Sequence, residues 1–376
     1  MGPISNRWIA GIVILCGVPC VADQKSAKKA AKGQTDTKAA QPSVELIWPL
    51  PPDPPRIRWV AQYKDMAQVK KPGPHKSSWY EKVTGAKTVE ERQELRKPYG
   101  ITTDSRGRIY TADTELKTVF VIDTEAKTVE RRESSSRAPL SLPVGVAVDA
   151  DGRLFVSDAV LHSLICFSAE GQPVALFGTA NLGRPGGIAI DRTRNRLYAA
   201  DAKEGRVAVF DTKSLKLVGY YGGPSPRGRR DNGTFNGPTN VAVDQKGMIY
   251  VADTLNYRVQ VFDPGGAFVR AFGTQGDSPG EFIRPKGVAV DSEGHIYVAD
   301  AEFNNFQIFT PEGKPLLAVG SLGDEPGRFA LLAGLCIDSH DQIYTTEMFH
   351  GRIQVFQYIP QPGAAKEKGV NSASNH

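Results

Sequence analysis

Short apolar runs recur through most of the chain and predict a repeating β-sheet protein. In each of six segments, an apolar run ends in Asp, a turn follows, and a second apolar run ends in Asp or Glu. In the fourth segment the predicted strands are Asn240–Asp244, Met248–Ala252, Arg258–Phe262 and Phe268–Phe272. Short β-rich runs separated by Asp and Gly turns indicate antiparallel strands. The first acidic residues of the six segments are Asp104, Asp149, Asp191, Asp244, Asp291 and Asp338.

The length of the repeat indicates a four-stranded sheet in each segment. Successive segments lie 42 to 53 residues apart, and six such sheets arranged radially form a β-propeller. The sixth segment supplies only three strands, ending with Arg352–Gln357, so we expect the fourth from Arg56–Gln62. Such a strand joins the first and last blades and removes open sheet edges. The predicted fold class is all-β: a six-bladed β-propeller of four-stranded antiparallel blades, closed by an N-terminal strand.

The propeller is predicted over residues 49–360, with an insertion at 63–96 that fits no blade. Within the insertion, Ser77–Val83 and Thr88–Leu95 have a helix-like composition and are expected on one face of the disc. Residues 361–376 are predicted to be a disordered tail, because they are polar and follow a proline-rich break.

The N-terminal residues predict export. Residues 1–22 hold one basic residue and then a mostly apolar stretch that ends in small residues, which is typical of a secretory signal peptide. Lipid attachment at Cys16 or Cys20 is the less favoured alternative, because Leu15 and Pro19 rather than small residues precede these cysteines. Residues 23–48 begin rich in Lys and Ala and predict a flexible linker. We expect a periplasmic or secreted protein.

The charge distribution narrows the range of partners. The chain of 376 residues carries a net charge of +5. Arg7, an excess of three lysines over acids in residues 23–41 and an excess of one in the tail account for all of it. A neutral body argues against a nucleic-acid partner, since phosphate binding requires a surplus of Lys and Arg. The basic linker leaves open a peripheral contact with an anionic membrane.

At these repeats the sequence resembles the NHL-repeat family of six-bladed, TolB-like β-propellers. The motifs P-x-G-V-A-V-D, G-x-I-Y-V-A-D and N-x-R-V-Q-V-F stand at Pro285–Asp291, Gly247–Asp253 and Asn256–Phe262. A linker motif, G-x-x-G-x-x-P-G-x-F, occurs at Gly273–Phe282 and Gly320–Phe329. The resemblance supports the propeller but does not specify a function, because one fold hosts many functions.

An acidic residue closes the second strand of every repeat. Six carboxylates could form a metal ring, but a residue that recurs once per blade is better explained by a local structural role. We interpret each as an acceptor of backbone N–H bonds in the following turn. The six residues are Asp113, Asp158, Asp201, Asp253, Asp300 and Glu347.

Some NHL propellers are enzymes, and the resemblance allows two comparisons. In the peptidyl-hydroxyglycine lyase, histidines near the start of the inner strands hold zinc; in lactonase-like propellers, Asp, Asn or Glu side chains hold calcium in the channel. For calcium, Asn240 is the only obvious candidate. Neither comparison predicts a cofactor, although Zn or Ca in the central channel stays open. None of the matching lyase positions is His: they are Tyr99, Val144, Gly186, Thr239, Lys286 and Ala333.

Departures from the repeat are the candidate binding residues, because they are free of the structural template. The longest connection, residues 222–236, contains Arg227, Arg229 and Arg230 and is suited to an acidic partner. The connections between second and third strands add apolar or aromatic residues typical of binding sites. Shielding of the blade junctions explains them equally well. These residues are Tyr257, Phe303, Met348, Phe349 and His350.

The sequence therefore favours a non-catalytic binding or scaffolding module for a protein, peptide or glycan in the cell envelope. The alternative is a metal-dependent lyase or lactonase-like enzyme with its site in the central channel. We find no nucleophile elbow, phosphate-binding loop or dinucleotide motif.

The first testable prediction concerns export. Signal cleavage is expected after Ala22, so N-terminal sequencing of the protein purified from its own cells should begin at Asp23. Cell fractionation should place the protein outside the cytoplasm. Retention in the cytoplasm with an intact N-terminus would contradict export. It would also make RNA a candidate partner again.

Overall fold

The computed structural model describes residues 45–69, 94–226 and 229–360. The predicted signal peptide and tail lie outside these ranges, as do the linker up to residue 44 and Arg227. Of the two predicted helices in the insertion, only Glu94 and Leu95 are described. Glu94 forms an isolated β-bridge with Asp65, and Leu95 is buried without helical structure.

Six antiparallel blades of at least four strands form the body of the protein, which confirms the predicted fold class. The inner strands are Pro98–Thr103, Pro143–Val148, Pro185–Asp191, Pro238–Val243, Pro285–Val290 and Leu332–Ile337. The second strands are Ile109–Asp113, Leu154–Asp158, Arg196–Asp201, Ile249–Asp253, Ile296–Asp300 and Gln342–Glu347. The third strands are Thr118–Asp123, Ser163–Phe167, Arg206–Asp211, Arg258–Phe262, Asn305–Phe309 and Arg352–Tyr358. The outer strands of blades 1–5 are Thr128–Arg132, Pro173–Phe177, Leu217–Tyr221, Phe268–Phe272 and Pro315–Val319.

The N-terminal strand closes the ring as the sequence predicted. Ile57–Tyr63 pairs antiparallel with the third strand of blade 6 and becomes its fourth strand. A short strand that the sequence had placed in the linker, Ile47–Trp48, adds a fifth. Trp48 packs edge-on against Phe356 with ring centroids 5.8 Å apart. The folded body therefore begins before residue 49.

Crowding at the centre explains the small residues of the inner strands. Each inner strand contacts the inner strands of both neighbouring blades, and blade 6 returns to blade 1. A Cβ on Gly145 would lie 2.6 Å from the Gly186 carbonyl oxygen of the next blade, closer than any real contact. In blade 4 the equivalent residue is Asn240, whose side chain fills the space beside Gly187. The Asn240 side-chain oxygen accepts the Val241 N–H at 2.8 Å.

Six apolar clusters occupy the six junctions between blades. Each cluster combines inner, second and third strands from two neighbours, as in the contact of blades 5 and 6 around Phe306 and Phe356. The second and third strands are mostly buried on both faces, which explains their nearly continuous apolar runs. The outer strands of blades 2–4 alternate between half-buried and exposed residues, as expected at the rim.

The remaining elements are small. Residues Met66–Gln68 and Thr254–Asn256 form single 3₁₀ turns, and Gly223–Pro224 pairs in parallel with Thr234–Phe235. No helix in the described part of the chain is long and apolar enough to cross a membrane.

Cys166 and Cys336 are free thiols, and burial raises the pKa of Cys166 to about 11. A thiol with such a pKa is a poor nucleophile at neutral pH.

The closing strand offers a test of how much closure contributes to stability. Ile57→Ala should lower the free energy of unfolding by about 2–5 kcal/mol, because Ile57 is fully buried between blades 5 and 6. Val60→Ala on the same strand is the control, with an expected change within about 0.5 kcal/mol since Val60 is exposed. Denaturant unfolding measures both. Equal effects of the two substitutions would contradict a stabilising role for closure.

Candidate functional site

The acidic residues that close the second strands are fully buried and are bonded to their own blade. In blade 1, Asp113 accepts the backbone N–H groups of Arg96 and Lys97 from the preceding linker and those of Glu115 and Leu116 from the following turn. Asp158, Asp201 and Asp300 likewise bind both segments. These carboxylates fix the linker and the turn that surround one end of the channel. The residues described in the structure contain no group of three or more His, Cys, Asp or Glu that could hold a metal.

A second set of buried groups fastens the linker between blades 3 and 4. Arg258 donates from Nε to Asp253 at 2.8 Å and from its other nitrogens to the carbonyl oxygens of Arg230 and Asp231. Gln260 donates to the Thr234 carbonyl oxygen at 2.7 Å. Blade 6 repeats the arrangement with Glu347, Arg352 and Gln354. The N-x-R-V-Q-V-F motif therefore encodes a clamp on the preceding linker.

The predicted basic loop is used largely within the fold. Arg229 lies 3.0 Å from Asp231, and Arg230 donates to the Asn256 carbonyl oxygen. Arg227 lies outside the described residues. The two described arginines therefore have partners inside the protein.

The predicted aromatic and apolar residues are divided among several places. Tyr257 packs into the cluster between blades 4 and 5, and Phe303 borders a groove at the outer edge of blade 5. The His350 ring lies 3.0 Å from a Glu347 carboxylate oxygen. Met348 lines the end of the central channel, and its neighbour Phe349 is 75% exposed. Of these five residues, only Met348 lines the channel.

The channel opens on both faces of the disc. The cavity at the start of the inner strands, which we call the upper mouth, has a volume of about 720 Å³. Lys286 of blade 5 reaches across it to the Tyr99 ring of blade 1, with Nζ 5.1 Å from the ring centroid. Five of the six positions compared with the lyase line the upper mouth, and Ala333 is the one that does not. The pairing of Tyr99 with Lys286 joins blades that are distant in sequence, which no repeat signal reveals.

The opposite opening, the lower mouth, has a volume of about 470 Å³ and is bridged by one arginine. Arg192 of blade 3 donates to the carbonyl oxygens of Thr103 and Val148 in blades 1 and 2, at 3.3 and 3.2 Å. The inner-strand carboxylates at this end bind their own turns; Asp104, for example, accepts from Arg108 and from the Tyr110 hydroxyl. Burial and this carboxylate raise the pKa of Tyr110 to about 12, so the hydroxyl remains a donor. The lower mouth is therefore braced by internal bonds.

Exposed apolar side chains lie next to the lining of the upper mouth on alternate blades, and one of them, Leu255, is part of that lining. They occupy the second position after the acidic residue of each second strand. Val160, Leu255 and Phe349 stand there in blades 2, 4 and 6 and are 53%, 57% and 75% exposed. Glu115, Lys203 and Glu302 occupy the same position in blades 1, 3 and 5. Sequence reasoning missed Val160 and Leu255, although aligning this position across the six repeats would have revealed them.

Comparison with known proteins supports the propeller. The family model described as "6-bladed beta-propeller" matches residues 230–304. NHL repeat-containing protein 2 from Bos taurus is 39% identical over 83 residues, which are 21% of this chain and 11% of that protein. The chain thus spans about a tenth of the length of the curated relatives it matches.

Two solved structures share the fold at low sequence identity. A gluconolactonase from Xanthomonas campestris is 16% identical with a TM-score of 0.54, covering 70% of this chain and 87% of that one. An auxiliary nutrient binding protein from Bacteroides ovatus is 11% identical with a TM-score of 0.54, covering 71% of this chain and 70% of that one. Likeness at this level shows the fold alone. The protein is a six-bladed β-propeller with NHL-type repeats, which confirms the sequence resemblance.

The buried carboxylates generate a prediction that separates a structural role from a metal ring. Asp253→Ala should lower the free energy of unfolding by about 3–5 kcal/mol, because it leaves the buried Arg258 guanidinium without its counter-charge. Asp277→Ala, at an exposed position, should change it by no more than about 0.5 kcal/mol. Thermal unfolding of the wild type should be the same with EDTA as with calcium. Stabilisation by calcium that is lost in Asp253→Ala would instead indicate a metal ring.

Proposed function

We propose that this propeller is an exported, non-catalytic binding module that holds a peptide segment of a partner protein at the upper mouth. The observation that carries the proposal is the set of exposed apolar residues at one repeated position beside that mouth, Val160, Leu255 and Phe349, of which Leu255 lines the cavity. Large apolar side chains on the rim of a cavity gain about 1.5–3 kcal/mol each when a ligand covers them fully. Exposed apolar groups arranged in this way are typical of interaction sites.

The chemistry of the rim favours a peptide over a glycan. Valine and leucine side chains bury aliphatic groups, but they cannot form the hydrogen bonds that sugar hydroxyls require. The cavity of about 720 Å³ is also large enough to take several side chains. Its walls consist of strand starts and turns fixed by buried carboxylates, so a ligand meets a pre-formed surface.

The alternative is a metal-dependent lyase or lactonase-like enzyme, and the gluconolactonase shares this fold. The described residues that line the upper mouth include His162 but no Asp, Glu or Cys. That set falls short of the three protein ligands that catalytic zinc sites use. The oxygen-rich lower mouth is bridged by Arg192, which places a positive charge where a calcium ion would have to enter.

The proposal also includes export of the protein from the cytoplasm. An apolar N-terminal stretch followed by a lysine-rich linker supports a periplasmic or secreted protein whose propeller is carried on a tether. Lipid attachment at Cys16 or Cys20 would place the same module at a membrane surface.

A photo-crosslinking experiment tests the binding site in the cells that make the protein. A benzophenone amino acid at position 349 should give discrete adducts with a protein partner after irradiation. The same residue at position 245, an exposed turn of the lower mouth, is the matched control and should give none. Val160→Ser with Leu255→Ser should remove the adducts at position 349, because these changes reduce the apolar area around the cavity.

Two results would overturn the proposal. One is equal labelling from positions 349 and 245, which would mean that the upper mouth is not the site. The other is stoichiometric zinc or calcium in the purified protein together with turnover of a lactone or lyase substrate, which would support the enzyme.

A further inference from the structure

The upper mouth contains a repeated pair of positions whose chemistry alternates around the ring. One position precedes each inner strand, and the other is the second residue after the acidic end of the second strand. In blades 1, 3 and 5 the residue between the acid and the second position donates its backbone N–H at 3.0 Å to the carbonyl oxygen of the first position, as Ala202 does to Arg184, so the two positions of the pair lie close together. In blades 2, 4 and 6 the pair contains an apolar rim residue, Val160, Leu255 or Phe349.

In two of the three odd-numbered blades this pair is an ion pair. Lys97 and Glu115 lie 2.9 Å apart in blade 1, and Arg284 and Glu302 lie 3.4 Å apart in blade 5. Blade 3 departs from the pattern. Its pair is Arg184 and Lys203, so two cations stand where the sister blades have a cation and a carboxylate.

The two cations of blade 3 form no salt bridge with any described residue. Glu204 is adjacent in sequence, but its side chain packs against Gly183 and does not approach either cation within 4.0 Å. Arg184 and Lys203 are both exposed, and both line the upper mouth. Two neighbouring like charges repel each other unless an anion lies between them.

The surroundings of this pair are suited to an anion with apolar neighbours. Lys286 and His162 line the same cavity, and no acidic residue does so among the residues described. A concave site with charges of one sign concentrates its electrostatic potential. Val160 and Leu255 belong to blades 2 and 4, which flank blade 3 on its two sides.

We propose that the upper mouth recognises a carboxylate-bearing peptide segment, with the carboxylate on Arg184 and Lys203 and its apolar neighbours on Val160 and Leu255. This inference rests on the proposed function and names the chemistry of the peptide. The Arg184 guanidinium can bind both oxygens of a carboxylate, and Lys203 adds a mobile point charge. Lys286 lies inside the concave cavity, where the flat surface of an anionic bilayer cannot reach it.

The test is a selection from a phage-displayed library of random 12-residue peptides. Peptides enriched on the wild-type protein should contain Asp, Glu or a free C-terminal carboxylate beside large apolar residues. Enrichment on Arg184→Glu with Lys203→Glu should shift towards Lys and Arg, because the charge of the site is reversed. Lys213→Glu with Lys216→Glu is the matched control. It makes the same change in net charge on the same blade, in an exposed turn of the opposite face.

A binding measurement on one enriched peptide tests the role of the carboxylate directly. Replacing its acidic residue by the amide should weaken binding to the wild type by about tenfold, which corresponds to the loss of one charge-assisted contact. The same replacement should not weaken binding to Arg184→Glu with Lys203→Glu and should strengthen it, because it removes a repulsion between like charges. Circular dichroism of each variant checks that the fold is intact.

The outcomes separate this inference from the proposed function. Enriched peptides without acidic residues, or enrichment that charge reversal leaves unchanged, would overturn the carboxylate while leaving a peptide site in place. Failure of the wild type to enrich any peptide would overturn both proposals. So would binding to vesicles containing phosphatidylglycerol, if charge reversal at Arg184 and Lys203 abolished it while no peptide competed.

Discussion

The buried carboxylate at the end of each second strand is the interaction on which the rest of the structure depends. It accepts N–H groups from the linker that enters the blade and, in most blades, from the turn that leaves the second strand. These two segments form the wall of the upper mouth. A charged acceptor bound to several backbone donors in a buried position is costly to disrupt, because both the charge and the donors would lose their partners. One acidic residue per repeat thus stabilises the ends of the strands and fixes the backbone around the upper mouth.

This arrangement separates the positions that define the fold from those that are free to vary. The acidic residue and, in most blades, the inner-strand glycine cannot change without steric or electrostatic cost, as the close approach of Gly145 to Gly186 shows. The second residue after the acid is exposed beside the mouth in blades 2, 3, 4 and 6, where packing does not select it. Val160, Lys203 and Phe349 therefore differ in chemistry although their backbones are equivalent. A functional difference between repeats is expected at such positions.

The fold could be predicted from the sequence because its signals are local and repeated. The period, the paired runs and the missing fourth strand led to a closed ring, and the closing strand lies within one residue of its predicted position. The binding site was predicted from the sequence less successfully than the fold. Tyr257 has a positive φ and packs into a blade junction, and Arg230 bonds to the next blade, so both are absent from the candidate surface. The contact of Lys286 with Tyr99 depends on ring closure, which brings blades 1 and 5 together around blade 6.

The two ends of the channel differ in what a ligand would have to displace. At the lower mouth, a ligand competes with Arg192 for the carbonyl oxygens of two other blades. At the upper mouth, Arg184 and Lys203 have no internal salt bridge among the described residues, so a carboxylate there breaks no existing ion pair. Because exposed ion pairs contribute little by themselves, affinity must come mainly from the apolar rim, and the cations act chiefly on orientation and on the rate of association. At the upper mouth, the apolar contact therefore tolerates many peptide sequences, whereas the two cations require a carboxylate. This combination suits a module that selects one class of peptide segment.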